Sequence, residues 1–107
     1  MMVKLTAIQL CSTPSVDDNL TVIEQQLSTL ESGSNHIVVL PECCLYFGGR
    51  DSEQLDLAKA TIAKRALESK LAALAEKYSI TLVAGSIPIY QPESNRFTNT
   101  CCVFSSK

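Results

Sequence analysis

The stretch His36-Ile37-Val38-Val39-Leu40-Pro41-Glu42 decides how this chain is read. Its unbroken apolar run, rich in β-branched residues, has the pattern of a short strand covered on both sides. Pro41, which has no N–H to give to a sheet ladder, closes it. Glu42 then heads a stretch to Ser52 that holds Gly48-Gly49 and no regular period, so it reads as a loop. Functional loops in layered α/β folds leave the C-terminal ends of strands, which makes a carboxylate at that place a candidate for chemistry.

On the N-terminal side, Val3, Leu5, Ala7, Ile8 and Leu10 form a strand pattern over 3–10 that the breakers Ser12-Thr13-Pro14-Ser15 close. Ser15 followed three residues later by Asp18 signals a helix start, and Leu20, Ile23, Leu27 and Leu30 recur at helical spacing up to Gly33. A helix over 16–32 is expected. His36, at the beginning of the second strand, is expected to be a solvated or capping residue.

On the C-terminal side, Leu67, Leu71, Leu74 and Tyr78 fall on one stripe, with Lys64, Glu68, Lys70 and Glu76 mostly away from it. This predicts a helix near 60–77 whose start lies between Leu55 and Ile62. Strands follow at 80–87 and 97–104, separated by the turn-rich Gln91 to Asn95, and Ser105-Ser106-Lys107 suits a turn. The order β-α-β-α-β-β predicts an α/β fold with a largely parallel sheet, its last two strands joined as a hairpin or at an edge.

Composition bounds the function. The 107 residues are 46% hydrophobic and 19% charged, the balance of a globular domain rather than a disordered tail. A net charge of −2 gives no basis for a polyanionic partner, so nucleic acid is not expected. The apolar runs are far shorter than the roughly 20 residues a membrane span needs. The N-terminus runs directly into a strand pattern without a leader, so a cytoplasmic protein is expected. Five cysteines are an odd number, and four form the adjacent pairs Cys43-Cys44 and Cys101-Cys102, which favours reduced thiols over a disulfide framework.

Four segments together resemble the nitrilase superfamily of carbon-nitrogen hydrolases: the opening Val3 to Gln9, Val38-Val-Leu-Pro-Glu42, Leu82-Val-Ala-Gly-Ser86 and Asn99-Thr-Cys-Cys-Val-Phe104. They stand in that family's order and approximate spacing. The resemblance covers nearly all of the chain but only the N-terminal part of the family domain, so 1–107 is expected to be an incomplete domain, the first part of an α-β-β-α sandwich. The segment Leu40-Pro-Glu-Cys-Cys-Leu-Tyr-Phe-Gly-Gly49 is most similar to the amidase branches that act on small ω-amides or deaminated glutathione.

The resemblance implies hydrolysis of small non-peptide amides by a glutamate, a lysine and a cysteine, with Glu42 in the glutamate's place as general base. The family lysine and nucleophilic cysteine come after the strand ending at Phe104, and Lys107 falls too early for the lysine. The chain alone is therefore expected to be inactive and its longer parent active. Tyr46, Phe47 and Arg50 are candidates for lining the substrate pocket, Arg50 as a partner for a substrate carboxylate. Asn99 is expected to hold loop backbone. Homo-oligomers are expected, because the family commonly pairs subunits through its sandwich layers.

Competing readings exist for the same residues. Cys43 and Cys44 directly follow the base, yet neighbours on an extended segment point to opposite sides and free cysteines are commonly small buried hydrophobes. His36 and the paired cysteines lack zinc-site spacing, and Gly48-Gly49 and Gly85 form no phosphate-binding fingerprint, so neither metal nor cofactor is expected. A non-catalytic half-domain that associates through the strand edge left after Phe104 is the alternative function. A thiol redox module on the cysteine pairs is a third.

Overall fold

The computed structural model describes residues 2–33 and 35–105. Strand β1 (Lys4–Ala7) leads into helix α1 (Val16–Leu27), then strand β2 (His36–Val39), helices α2 (Asp51–Ile62) and α3 (Ala66–Lys77), and strands β3 (Thr81–Gln91) and β4 (Arg96–Phe104). The sheet order is β1-β2-β3-β4, with the first three strands parallel and β4 antiparallel to β3. The α/β class and the alternation thus follow the sequence pattern, with one helix more than expected.

Each element has a local cause. Ser15 caps α1 by accepting the Asp18 N–H at 3.3 Å, and Asp17 and Asp18 place negative charge at the positive end of the helix dipole. Asn19, Ile23 and Leu27, four residues apart, are its buried stripe. The helix stops at Leu27 rather than Ser32: the hydroxyls of Ser28 and Thr29 fold back onto the carbonyls of Gln25 and Gln26, competing with the next helical turn.

The expected single helix near 60–77 is two. Arg65 takes a left-handed conformation (φ 47°) between them, which breaks the helix, and α2 begins at Asp51, inside the stretch read as loop. Leu67, Leu71, Leu74 and Ala75 of α3 are buried against the sheet, as the stripe requires. The turn expected at the C-terminus falls on Ser106 and Lys107, which lie outside the described residues.

The core unites Ile23 and Leu27 of α1, Val38 and Leu40, Leu67 and Leu71, and Ile80, Leu82, Ala84 and Ile87. Fully burying side chains of this size contributes about 1.5–3 kcal/mol each. Burial alternates along the sheet. The register places Ala7, Val39, Val83 and Val103 in one row, and those residues are half-buried or exposed, whereas Val38, Leu82 and Ala84 on the other face are buried. The expectation that β2 is covered on both sides is corrected to this extent: this chain covers one face.

His36 is also corrected. It is only 2% exposed, with Nε2 2.7 Å from Thr6 Oγ1 and Nδ1 2.6 Å from the Glu31 carbonyl. A carbonyl can only accept, so Nδ1 donates to Glu31, while Nε2 shares a hydrogen bond with the threonine hydroxyl. The ring ties β1 and the end of the α1–β2 connection together instead of meeting solvent. No helix among the described residues is long and apolar enough to cross a membrane.

Candidate active site

Parallel strands β1, β2 and β3 end on the same edge of the sheet, and the segments leaving β1 and β2 meet there. Leu40 continues the ladder by donating its N–H to the Val83 carbonyl at 2.8 Å, and the chain then turns at Pro41 and Glu42. Glu42 is exposed at this turn. It lines an open cleft of about 250 Å³ with Phe47 from its own loop and Leu10, Cys11 and Ser12 from the segment after β1.

The turn is fixed from beneath by β3. A β-bulge between Ala84 and Ile87 interrupts the pairing with β4, and Gly85 and Ser86 sit in it. A side chain at Gly85 would place its Cβ 2.2 Å from the Pro41 carbonyl oxygen and 2.5 Å from that of Leu40, so only glycine lets the backbones approach so closely. Ser86, nearly buried, accepts the Cys43 N–H on its Oγ at 2.8 Å. Cys43 adopts a left-handed conformation (φ 53°), uncommon outside glycine, which re-aims the chain just after Glu42.

The loop is fastened on its other side to the segment after β1. Ser12 Oγ donates to the Cys44 carbonyl at 3.1 Å and the Phe47 N–H donates to the Thr13 carbonyl at 3.1 Å. Cys44 is fully buried and its thiol lies 3.9 Å from the Ser86 carbonyl. Burial pushes that thiol up to about 12, which leaves it protonated at neutral pH and unfit as a nucleophile.

The structure brings Phe47 to Glu42. Tyr46 turns away: its hydroxyl donates to Glu53 of α2 at 2.8 Å, and the carboxylate at the other end of that bond raises the tyrosine's pKa. Arg50 is exposed as the N-cap residue of α2 and does not line the cleft. Asn99 lies in β4, exposed, opposite Pro88. Leu10, Cys11 and Ser12 were not singled out from sequence. Their only signal is the breaker stretch that ends β1, together with the rule that neighbouring parallel strands deliver their loops to one edge. Among the described residues no group of three or more His, Cys, Asp or Glu side chains is placed to hold a metal ion.

Residues 4–107 match the family described as carbon-nitrogen hydrolase. The chain is 31% identical over 101 residues to a deaminated glutathione amidase of Yersinia enterocolitica, an alignment that covers 94% of this chain and 34% of that protein. Its fold is similar to the NitFhit protein of C. elegans, with a TM-score of 0.77 and 26% identity over 98% of this chain and 26% of that one. It is also similar to Saccharomyces cerevisiae Nit3, a member of branch 10 of the nitrilase superfamily, with a TM-score of 0.74 and 28% identity over 97% of this chain and 40% of that one. The chain thus spans about a third of the length of the curated relative.

Proposed function

This chain belongs to the carbon-nitrogen hydrolase family, and from that premise we propose that the whole protein is an amidase that hydrolyses small non-peptide amides, with Glu42 as its general base. The observation that carries the reading is the placement of Glu42: exposed in an open cleft at the C-terminal edge of the sheet, on a turn held by Gly85 and Ser86. The similarity to a deaminated glutathione amidase favours a small amide as substrate.

The chemistry assigns Glu42 two duties. A cysteine thiol is mostly protonated at neutral pH, so a carboxylate within hydrogen-bond reach must take its proton before the sulfur attacks the amide carbon. A lysine ammonium then stabilises the oxyanion, ammonia leaves with a proton, and Glu42 draws a proton from the water that cleaves the thioester. Cys44 is buried with a protonated thiol, and the nucleophile and lysine of the family mechanism have no counterpart assigned in these 107 residues. The short chain is accordingly inactive in this reading. The experiment is ammonia release from short ω-amides and release of the amine product from deaminated glutathione, comparing the 107-residue chain with a protein that spans the whole family domain. Turnover by the short chain that vanishes on Cys43→Ala would move the nucleophile into this half.

A second reading rests on the open face of the sheet. Leu5 and Val103 are 69% and 62% exposed there, beside half-buried Ile37, Val39 and Val83, an apolar surface of the kind that marks association. It supports a half-domain that pairs with itself or with another chain. Sedimentation of the 107-residue chain tests its self-pairing form: a dimer supports it, and a compact monomer at high concentration removes it.

A further inference from the structure

We propose that Asn19 is a positioning residue for Glu42, clamping the two loops that form the walls of the cleft; the inference rests on the reading of Glu42 as the base. Asn19 projects from the first turns of α1 and is only 4% exposed. Its carboxamide uses every bond it has. Oδ1 accepts the Thr13 N–H at 2.9 Å and the Thr13 hydroxyl at 3.3 Å, while Nδ2 donates to the Thr13 carbonyl at 2.7 Å and to the Leu45 carbonyl at 2.7 Å.

Two donors and two acceptors converge on one planar group, and only an amide of this length supplies both. Thr13 belongs to the segment that brings Leu10, Cys11 and Ser12 to the cleft, and Leu45 to the loop that brings Glu42 and Phe47. Asn19 therefore sets the separation of the two walls from below, and the Phe47 N–H on the Thr13 carbonyl closes the same ring of contacts at 3.1 Å. Ser86 fixes the Glu42 turn on one side through Cys43, and Asn19 fixes it on the other through Leu45. The Glu42 side chain has freedom to meet a substrate, but its backbone does not. Asn19 touches neither the cleft nor Glu42, so its influence on the reaction passes through the loop.

The test uses Asn19→Asp. This substitution keeps the shape and the acceptor side but sets a second oxygen against the Thr13 and Leu45 carbonyls; Asn19→Ser, which leaves no such repulsion, is the companion if Asp prevents folding. In the 107-residue chain, amide hydrogen exchange is measured at Phe47 and Cys43, with the Leu40 N–H on the Val83 carbonyl as a reference within the sheet. In the protein spanning the whole domain, kcat and KM are measured on a short amide. The expected result is selective loss of protection at Phe47 and Cys43 with Leu40 unchanged, and a fall in kcat of about 10²-fold, the scale of a 1 Å misplacement, with KM little altered. Unchanged protection in the loop, protection lost equally at Leu40, or full kcat with the loop loosened would each overturn the inference. Absence of turnover in the unsubstituted protein would instead remove the amidase reading, and the exchange measurement would still decide whether Asn19 is a clamp.

Discussion

Gly85 and Pro41 are in backbone contact: a Cβ on the first would stand 2.2 Å from the carbonyl oxygen of the second. The bulge of β3 and the end of β2 are thereby pressed together beneath the turn that carries Glu42. Two sequence-distant segments, Val-Ala-Gly-Ser and Leu-Pro-Glu, form one structural unit.

Gly85→Ala must therefore push the strands apart at the turn. Backbone cannot yield as a flexible side chain does, and overpacking of this kind typically costs about 1–3 kcal/mol. A lowered urea midpoint for the variant, together with weakened exchange protection of the Cys43 N–H, is the expected outcome. A variant as stable as the parent with Cys43 still protected would show that the contact relaxes freely.

Thiol reactivity should rank by exposure. Cys11 and Cys101 are exposed, whereas burial holds the Cys44 thiol at about 12, far above the pH at which a thiolate forms in water. In native protein at about pH 8, near the ordinary thiol pKa, iodoacetamide should modify Cys11 and Cys101 first and reach Cys44 only after denaturant is added. Mass mapping that finds native Cys44 labelled as fast as Cys11 would contradict the buried, protonated thiol.

Glu24 of α1 is linked to the end of α3 by Lys77 and by the Tyr78 hydroxyl, which donates to it at 2.8 Å. Hydrogen bonding to Lys77 first, then to Tyr78, holds the Glu24 carboxyl below its ordinary pKa. A lowered folded-state pKa contributes stability that is present above the unfolded value and lost as pH falls through the folded one. Glu24→Gln should therefore lower the denaturation midpoint slightly at neutral pH, since exposed pairs contribute little, and the difference should vanish in acid. A difference that persists below the folded pKa would show that lost packing, not charge, is responsible.

His36→Leu keeps most of the side-chain volume but leaves the Glu31 carbonyl and the Thr6 hydroxyl without their partner. Losing one side of part-buried hydrogen bonds costs about 1–3 kcal/mol. Urea unfolding should show that loss, and an unchanged midpoint would mean that water replaces the ring.

What the sequence disclosed follows from how the elements make contact. Strands β2 and β3 were legible because their apolar runs reflect burial directly, and α3 because its leucines lie on one stripe. Helix α2 was not, since Ala58 is its one buried residue among those described and no side chain caps it, so it carries almost no periodic signal. Nothing in the residue type announces the left-handed Arg65 that splits the helical stretch. Glu42 could be singled out by its place after a strand proline and by resemblance. The opposite wall of the cleft, and the bond of Asn19 to Leu45, join residues far apart in the chain, and only the fold brings them together.

The assignment of Glu42 is tested most directly by Glu42→Gln in the protein spanning the whole domain, with steady-state ammonia release from a short amide as the measurement. Glutamine preserves the size of the side chain and cannot take a proton from a thiol. The expected result is a loss in kcat of roughly 10² to 10⁴, the usual contribution of a general base, with an unchanged unfolding midpoint and little change in KM. Full turnover by the Gln variant would remove Glu42 from the mechanism and with it the chemical role given to this cleft.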